Sequence, residues 1–214
     1  WMAMKEKEPS KEVDQVISEL NKTIEVCRLC RLCGGRTRAV PGSGPRYNLD
    51  LMLVGEGPGR NEDLQGEPFV GAGGKILDSV LALSGLGRSQ VFITNVVKCR
   101  PPENRKPFYD EIEICTSNYL ERQIDLLKPK LICTLGATAL EYFTGEKSMG
   151  AARGRLTKTK KGLPLLPTYH PAAILRNPSL KPLFEQDVEK IPSLLRQIEK
   201  EGRSRQQDLD KFPT

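Results

Sequence analysis

The chain has 214 residues, 38% hydrophobic and 28% charged, which suits one soluble globular domain. No apolar run approaches the roughly 20 residues of a bilayer span, and with a polar, charged N-terminus no secretory signal is expected. The formal charge of +6 and the pI of about 9.0 favour a polyanionic partner such as nucleic acid, although a solvated basic surface gives the same balance.

Residues 10–26 are predicted as a helix. Ser10 can cap it, and Val13, Ile17, Leu20 and Ile24 recur at helical spacing. The helix delivers the chain to Cys27, which makes a C-x2-C pair with Cys30; Cys30 and Cys33 make a second pair of equal quality. Six cysteines in a chain of intracellular character point to metal or redox chemistry before disulfides. Cys99 and Cys115 lie far downstream, and Cys133 sits in the apolar run Lys130-Leu-Ile-Cys-Thr-Leu135, as a buried strand residue would. Four thiolates suit an iron–sulfur cluster or a closed zinc site. Spacing alone leaves both metals, and both C-x2-C pairs, open.

Four short apolar runs read as strands, at residues 49–54, 91–95, 130–135 and 163–168. Helical patterns at 74–83, 110–127, 137–143 and 180–200 separate or follow them. The alternation predicts an α/β fold: a three-layer α/β/α arrangement around a central four-stranded parallel sheet. One domain is expected over residues 1–200, followed by a polar tail at 201–214 expected to lack structure. In such sheets function collects beyond the carboxyl ends of the strands.

The segments in those places are distinctive. After the first strand comes Gly55-Glu-Gly-Pro-Gly59, then Glu62 and Pro68-Phe-Val-Gly71. The glycines allow close backbone approach to a ligand, and Phe69 offers a stacking face; a plain turn and a core phenylalanine would look the same. The second strand ends in Asn95, placed to read a ligand edge or to make a turn, and runs into Val-Val-Lys98-Cys99-Arg-Pro-Pro102. After the fourth strand stands His170, the single histidine, followed by Pro171, Ala172, Leu175 and Arg176.

Together these segments resemble the uracil-DNA glycosylase superfamily, and most closely its family four, the thermostable iron–sulfur class of archaea and bacteria. The motifs are Gly55-Glu-Gly-Pro-Gly59, Pro68-Phe-Val-Gly71, Thr94-Asn-Val-Val-Lys-Cys-Arg-Pro-Pro102, His170-Pro171-Ala172, and Cys27-x2-Cys30 with Arg36-Thr-Arg-Ala-Val-Pro41. The likeness spans about residues 13 to 196. It implies a monofunctional enzyme that hydrolyses the glycosidic bond of uracil in single- or double-stranded DNA. Phe69 would stack on the base, Asn95 would read it, and His170 would donate to uracil O2. Gly55 and Gly57 would shape the loop at the base, Glu56 would position water, and Glu62 would crowd uracil C5. Leu175 would fill the gap left by the flipped base, unless it is ordinary helix core, and Arg176 would reach phosphate. The likeness also selects a [4Fe–4S] cluster on Cys27, Cys30, Cys99 and Cys115, passing over Cys33. A monomer in a prokaryotic cytoplasm, associated with the nucleoid, is expected.

Two alternatives from other classes are a DNA-binding module that has lost catalysis and an iron–sulfur electron carrier. Retention of Glu56, Phe69, Asn95 and His170 disfavours the first, and the ligand-binding motifs disfavour the second. Arg100, Arg105 and Lys106, beside Cys99, could meet phosphates. In the tail, Gln206, Leu209 and Phe212 are spaced like a sliding-clamp-binding box, with Pro213 in place of the usual second aromatic.

Overall fold

The computed structural model describes residues 11–210. Its parallel strands are β1 (Leu51–Gly55), β2 (Val91–Asn95), β3 (Leu131–Leu135) and, after the short β4 (Thr157–Lys158), β5 (Pro164–Thr168). The sheet order is β2-β1-β3-β5-β4. The four expected strands are parallel, and β4 adds a fifth, antiparallel to β5, so the sheet has five strands where four were expected. Both β4 residues are exposed and neither is apolar, so nothing in the sequence marks them as strand. The opposite edge is covered too: Ser43 exchanges backbone hydrogen bonds with Ile93 of β2.

Side chains alternate across the sheet and build two cores. Met52, Val54, Phe92, Ile132 and Leu165 face one side. There they meet Ile17, Leu20 and Ile24 of α1 (Lys11–Glu25), together with Leu120, Ile124 and Phe143. Leu51, Leu53, Val91, Ile93, Cys133 and Leu166 face the other. They pack on Leu77, Val80 and Leu81, and on Phe184, Val188 and Ile191. The stripe on α1 is therefore core, as its spacing predicts; the Ser10 cap lies outside the described residues.

After β1 come α2 (Arg60–Gln65) and α3 (Ala72–Leu83). The predicted helix at 110–127 is α4 (Tyr109–Cys115) and α5 (Glu121–Leu127), joined by a π-helical turn, Thr116–Leu120. Then follow α6 (Ala137–Thr144), α7 (Met149–Ala152), α8 (Pro171–Arg176), α9 (Lys181–Glu189) and α10 (Ile191–Asp210). The predicted helix at 180–200 is thus two helices, because Pro192 lacks an N–H and disfavours helical geometry at Ile191. The tail expected to lack structure continues α10 through Asp210, since residues 201–210 contain one strong helix breaker, Gly202. Gln206 and Leu209 lie in this helix, and Phe212 lies outside the described residues. No helix among the described residues is long and apolar enough to cross a membrane.

The chain leaves β1 toward one face of the sheet and leaves β3 toward the other. That divergence opens a crevice at the carboxyl ends of β1 and β3, where α/β sheets bind ligands.

Candidate active site

A cavity of about 640 Å³ occupies the crevice. Glu56, Gly57, Glu62, Phe69, Asn95, His170, Leu175 and Arg176 all line it. Three regions that are distant in sequence, 56–69, 95 and 170–176, thus converge on one space. Gly55 stands behind the lining: a Cβ there would sit 2.4 Å from Asn95 Oδ1 and 2.7 Å from Phe69 Cζ. Its hydrogen lets the Asn95 amide and the Phe69 ring share one floor.

Asn95 ends β2 and is 1% exposed. Its Oδ1 is buried with no hydrogen-bond partner in the protein. Buried acceptors are seldom left unpaired, because desolvation costs about 1–3 kcal/mol each. This oxygen therefore marks the place for a ligand's donor.

Phe69 has φ 53°, in the left-handed region where large side chains are rare. The surroundings hold it there. Arg88 donates to the carbonyls of Pro68 (3.0 Å) and Phe69, and its Nε donates to Asp78 at 2.6 Å. A Cβ on Gly74 of α3 would lie 1.7 Å from the Phe69 carbonyl oxygen. Gly74→Ala is therefore expected to cost about 1–3 kcal/mol of stability and to displace the ring. Thermal unfolding of the variant measures the first effect.

Glu62 does more than the sequence suggests. Its Oε1 accepts from the backbone N–H groups of Val70 (2.9 Å) and Gly71 (2.8 Å), so it fixes the loop that carries Phe69. Glu56 Oε2 accepts from the Thr138 hydroxyl at the start of α6.

His170 caps α8, and its Nδ1 accepts from the Ala172 backbone N–H at 3.1 Å. In the neutral ring the proton must then sit on Nε2. Burial, reinforced by the Arg176 cation and opposed by Glu62, lowers its pKa to about 4, so the ring is neutral at physiological pH. The His170 and Phe69 rings lie 5.4 Å apart. Leu175 is 51% exposed at the cavity rim, which excludes the reading of it as helix core.

The sequence model of the Uracil DNA glycosylase superfamily matches residues 41–196. The chain belongs to that superfamily. It is 46% identical to the type-4 uracil-DNA glycosylase of Sulfurisphaera tokodaii over 190 residues, 83% of this chain and 84% of the relative. Identity to the type-4 enzyme of Saccharolobus solfataricus is 43%, over 86% of each chain. Identity to that of Archaeoglobus fulgidus is 40%, over 83% of this chain and 92% of the relative. These likenesses bear out the family-four resemblance carried by the motifs.

Elsewhere in this superfamily member, Cys27, Cys30, Cys99 and Cys115 line one small apolar cavity with Ile24, Lys98, Ile114 and Tyr119. Cys33 is not among its lining residues. Burial pushes the Cys99 thiol up to about 11 and the Cys115 thiol up to about 12. Arg36 Nη1 donates to Cys99 Sγ at 2.8 Å, while its Nη2 donates to the carbonyls of Glu25 and Cys27, each at 2.8 Å. The backbone N–H groups of Leu29 and Lys98 point at Cys27 Sγ (3.5 Å) and Cys115 Sγ (3.2 Å). Among the described residues, no three His, Cys, Asp or Glu side chains stand together as ligands of a single metal ion.

Of the cations beside Cys99, Arg105 is engaged with the buried carboxylate of Glu111 (2.7 and 2.8 Å) and lies over the Phe108 ring. Lys106 pairs with Glu141 at 2.9 Å, and Arg100 donates to Asn104 at 2.8 Å. Their first role is to hold the loop, which weakens the expectation that they meet phosphates. Thr138, Arg88 and Lys98 were not predicted from sequence. Thr138 and Arg88 act through partners far away in the chain, and Lys98 joins its neighbours Thr94 and Asn95 to the distant Gln123; no local pattern signals that.

Proposed function

We propose that the protein hydrolyses the bond between uracil N1 and deoxyribose C1′ in DNA and leaves an abasic site, the first step of base excision repair. The observation that carries the reading is the unpartnered Asn95 Oδ1 in a cavity shared with Phe69 and His170. The type-4 uracil-DNA glycosylases to which the chain is similar support it.

A stacked base cannot enter such a cavity, so the nucleotide must first flip out of the helix. Uracil then lies on Phe69. Asn95 Oδ1 accepts from N3–H, and the amide nitrogen donates to O4. Cytosine presents the opposite polarity at both atoms, and a site that leaves buried polar groups unpaired rejects it steeply. Bond breaking places negative charge on the base. The Nε2–H of neutral His170 donates to O2 and stabilises that charge without giving up its proton. Glu56, held by Thr138, orients the attacking water and offsets the positive charge growing on the sugar. Glu62 holds the wall beside C5, where the methyl group of thymine would have to fit. Leu175 fills the vacated stack and Arg176 meets phosphate. Among the described residues no lysine lines the cavity, which fits a hydrolase that forms no Schiff base and leaves the strand uncut. The test is single-turnover incubation with oligonucleotides carrying uracil, thymine or cytosine at one position. Uracil should leave at least about 100-fold faster than the other two; equal rates would overturn the reading.

We further propose that Cys27, Cys30, Cys99 and Cys115 hold a [4Fe–4S] cluster. The four thiols share one cavity, and four thiolates suit such a cluster. Arg36 and the two backbone donors would offset the thiolate charge, and the cluster would tie α1 to the loop after β2. A band at roughly 400 nm, expected of such a cluster, should survive Cys33→Ser and vanish in Cys115→Ser. Loss in the first variant would refute the ligand set.

The enzyme would act as a monomer on chromosomal DNA. Gln206, Leu209 and Phe212 would dock on a sliding clamp once the end of α10 unwinds. Unchanged clamp affinity after deleting residues 205–214 would end that idea.

A further inference from the structure

The Thr94-Asn-Val-Val-Lys-Cys segment contains a lysine that no step above uses. Lys98 is 1% exposed, and no carboxylate among the described residues pairs with it. Its Nζ is instead surrounded by three oxygen acceptors: Thr94 Oγ1 at 2.6 Å, the Asn95 carbonyl at 2.8 Å and Gln123 Oε1 at 2.7 Å. The Thr94 hydroxyl and the Gln123 amide nitrogen both donate to the Pro41 carbonyl, at 2.9 and 2.8 Å, which leaves their oxygens free to accept. Three acceptors match the three donors of an ammonium; a neutral amine has two. A buried cation with only neutral partners is costly unless an anion lies near. Lys98 also lines the cysteine cavity, and its own backbone N–H points at Cys115 Sγ.

We propose that Lys98 is a positioning residue that couples the cysteine site to the base reader: it is the counter-charge of the ligated thiolates and, through the Asn95 carbonyl, fixes the residue that recognises uracil. The inference rests on the four-cysteine cluster reading. It explains why a cysteine cage should stand immediately behind the end of β2. Without the anionic group the ammonium has no compensating charge, and its hold on Asn95 weakens. Cluster occupancy and base recognition are then linked through one side chain.

The test is Lys98→Met, close in shape and uncharged, prepared without oxygen beside the wild type. Iron and sulfide contents should match the wild type. The reduction potential of the cluster should fall, because reduction adds a negative charge that a nearby cation stabilises. Single-turnover uracil release should slow by about 10- to 100-fold, the scale of a lost hydrogen bond to a charged group. The double variant Lys98→Met with Asn95→Ala should be no slower than Asn95→Ala alone, because the lysine acts through that residue. An unchanged potential, or a double variant slowed by the product of the two factors, would overturn the proposal. Wild-type protein without iron and sulfide would instead remove the cluster reading, and the counter-charge with it. If Lys98→Met does not fold, Thr94→Val removes one acceptor and keeps the cation. It should show a smaller loss that also disappears in the Asn95→Ala background, and a multiplicative loss there would count against the coupling.

Discussion

Asn95→Ala is expected to slow uracil excision by about 1,000-fold while leaving the protein as stable as before, or slightly more so. The two effects separate because Asn95 Oδ1 has no partner within the protein. Its removal breaks no internal hydrogen bond and deletes a buried acceptor that the folded state leaves unsatisfied. The backbone of residue 95 stays paired with β1 through the register Gly55↔Asn95. A side chain that destabilises the empty protein and is satisfied only by ligand is the signature of a recognition group. Single-turnover kinetics and thermal unfolding of the same preparation check both halves. A variant that loses activity and stability together would mean that Asn95 is structural.

His170→Ala is expected to cost about 100- to 1,000-fold in the chemical step, the range for one donor to a developing anion. The pH dependence carries the sharper information. With a pKa lowered to about 4, chiefly by burial, His170 should produce no inflection near 6.5 in the excision rate. In a chain with one histidine, the activity of the wild type should persist from neutrality down to about pH 5 as far as this group is concerned. Linkage gives the stability consequence. The unfolded chain takes up a proton on this ring near pH 6.5, and the folded protein does so only near pH 4. Stability contributed by the neutral ring is therefore complete above 6.5 and is lost as pH falls toward 4. His170→Ala should lose less stability over that interval than the wild type. An imidazole titrating near 6.5 by NMR would contradict the neutral ring.

The sequence displayed the site better than it displayed the frame. Asn95 and His170 stand where an apolar run that must be a strand gives out, and strand ends are where α/β proteins bind ligands, whereas Phe69 stands out only through its glycine-flanked motif. The cysteine pairing could not be chosen by spacing, since Cys30 serves two equally good pairs. Family likeness selects Cys27, which lines the shared cavity. Thr157–Lys158 escaped notice because a two-residue exposed strand has no hydrophobic period to read. The extension of α10 is not legible in its polar residues, whereas the first half of that helix is anchored on the core by Leu194, Leu195 and Ile198. Lys98, Thr138 and Arg88 belong to a third kind. Their roles are fixed by partners such as Gln123, Glu56 and Phe69 that only folding brings near. A lysine in a polar-looking motif is ordinarily read as surface charge. Only its burial shows that it is interior.

The most direct test of the account is product analysis after incubation with an oligonucleotide bearing one uracil. Mass spectrometry should find free uracil and a full-length strand carrying one abasic site, cleaved only after alkali. An intact uracil strand, or a strand nicked before alkali, would contradict it.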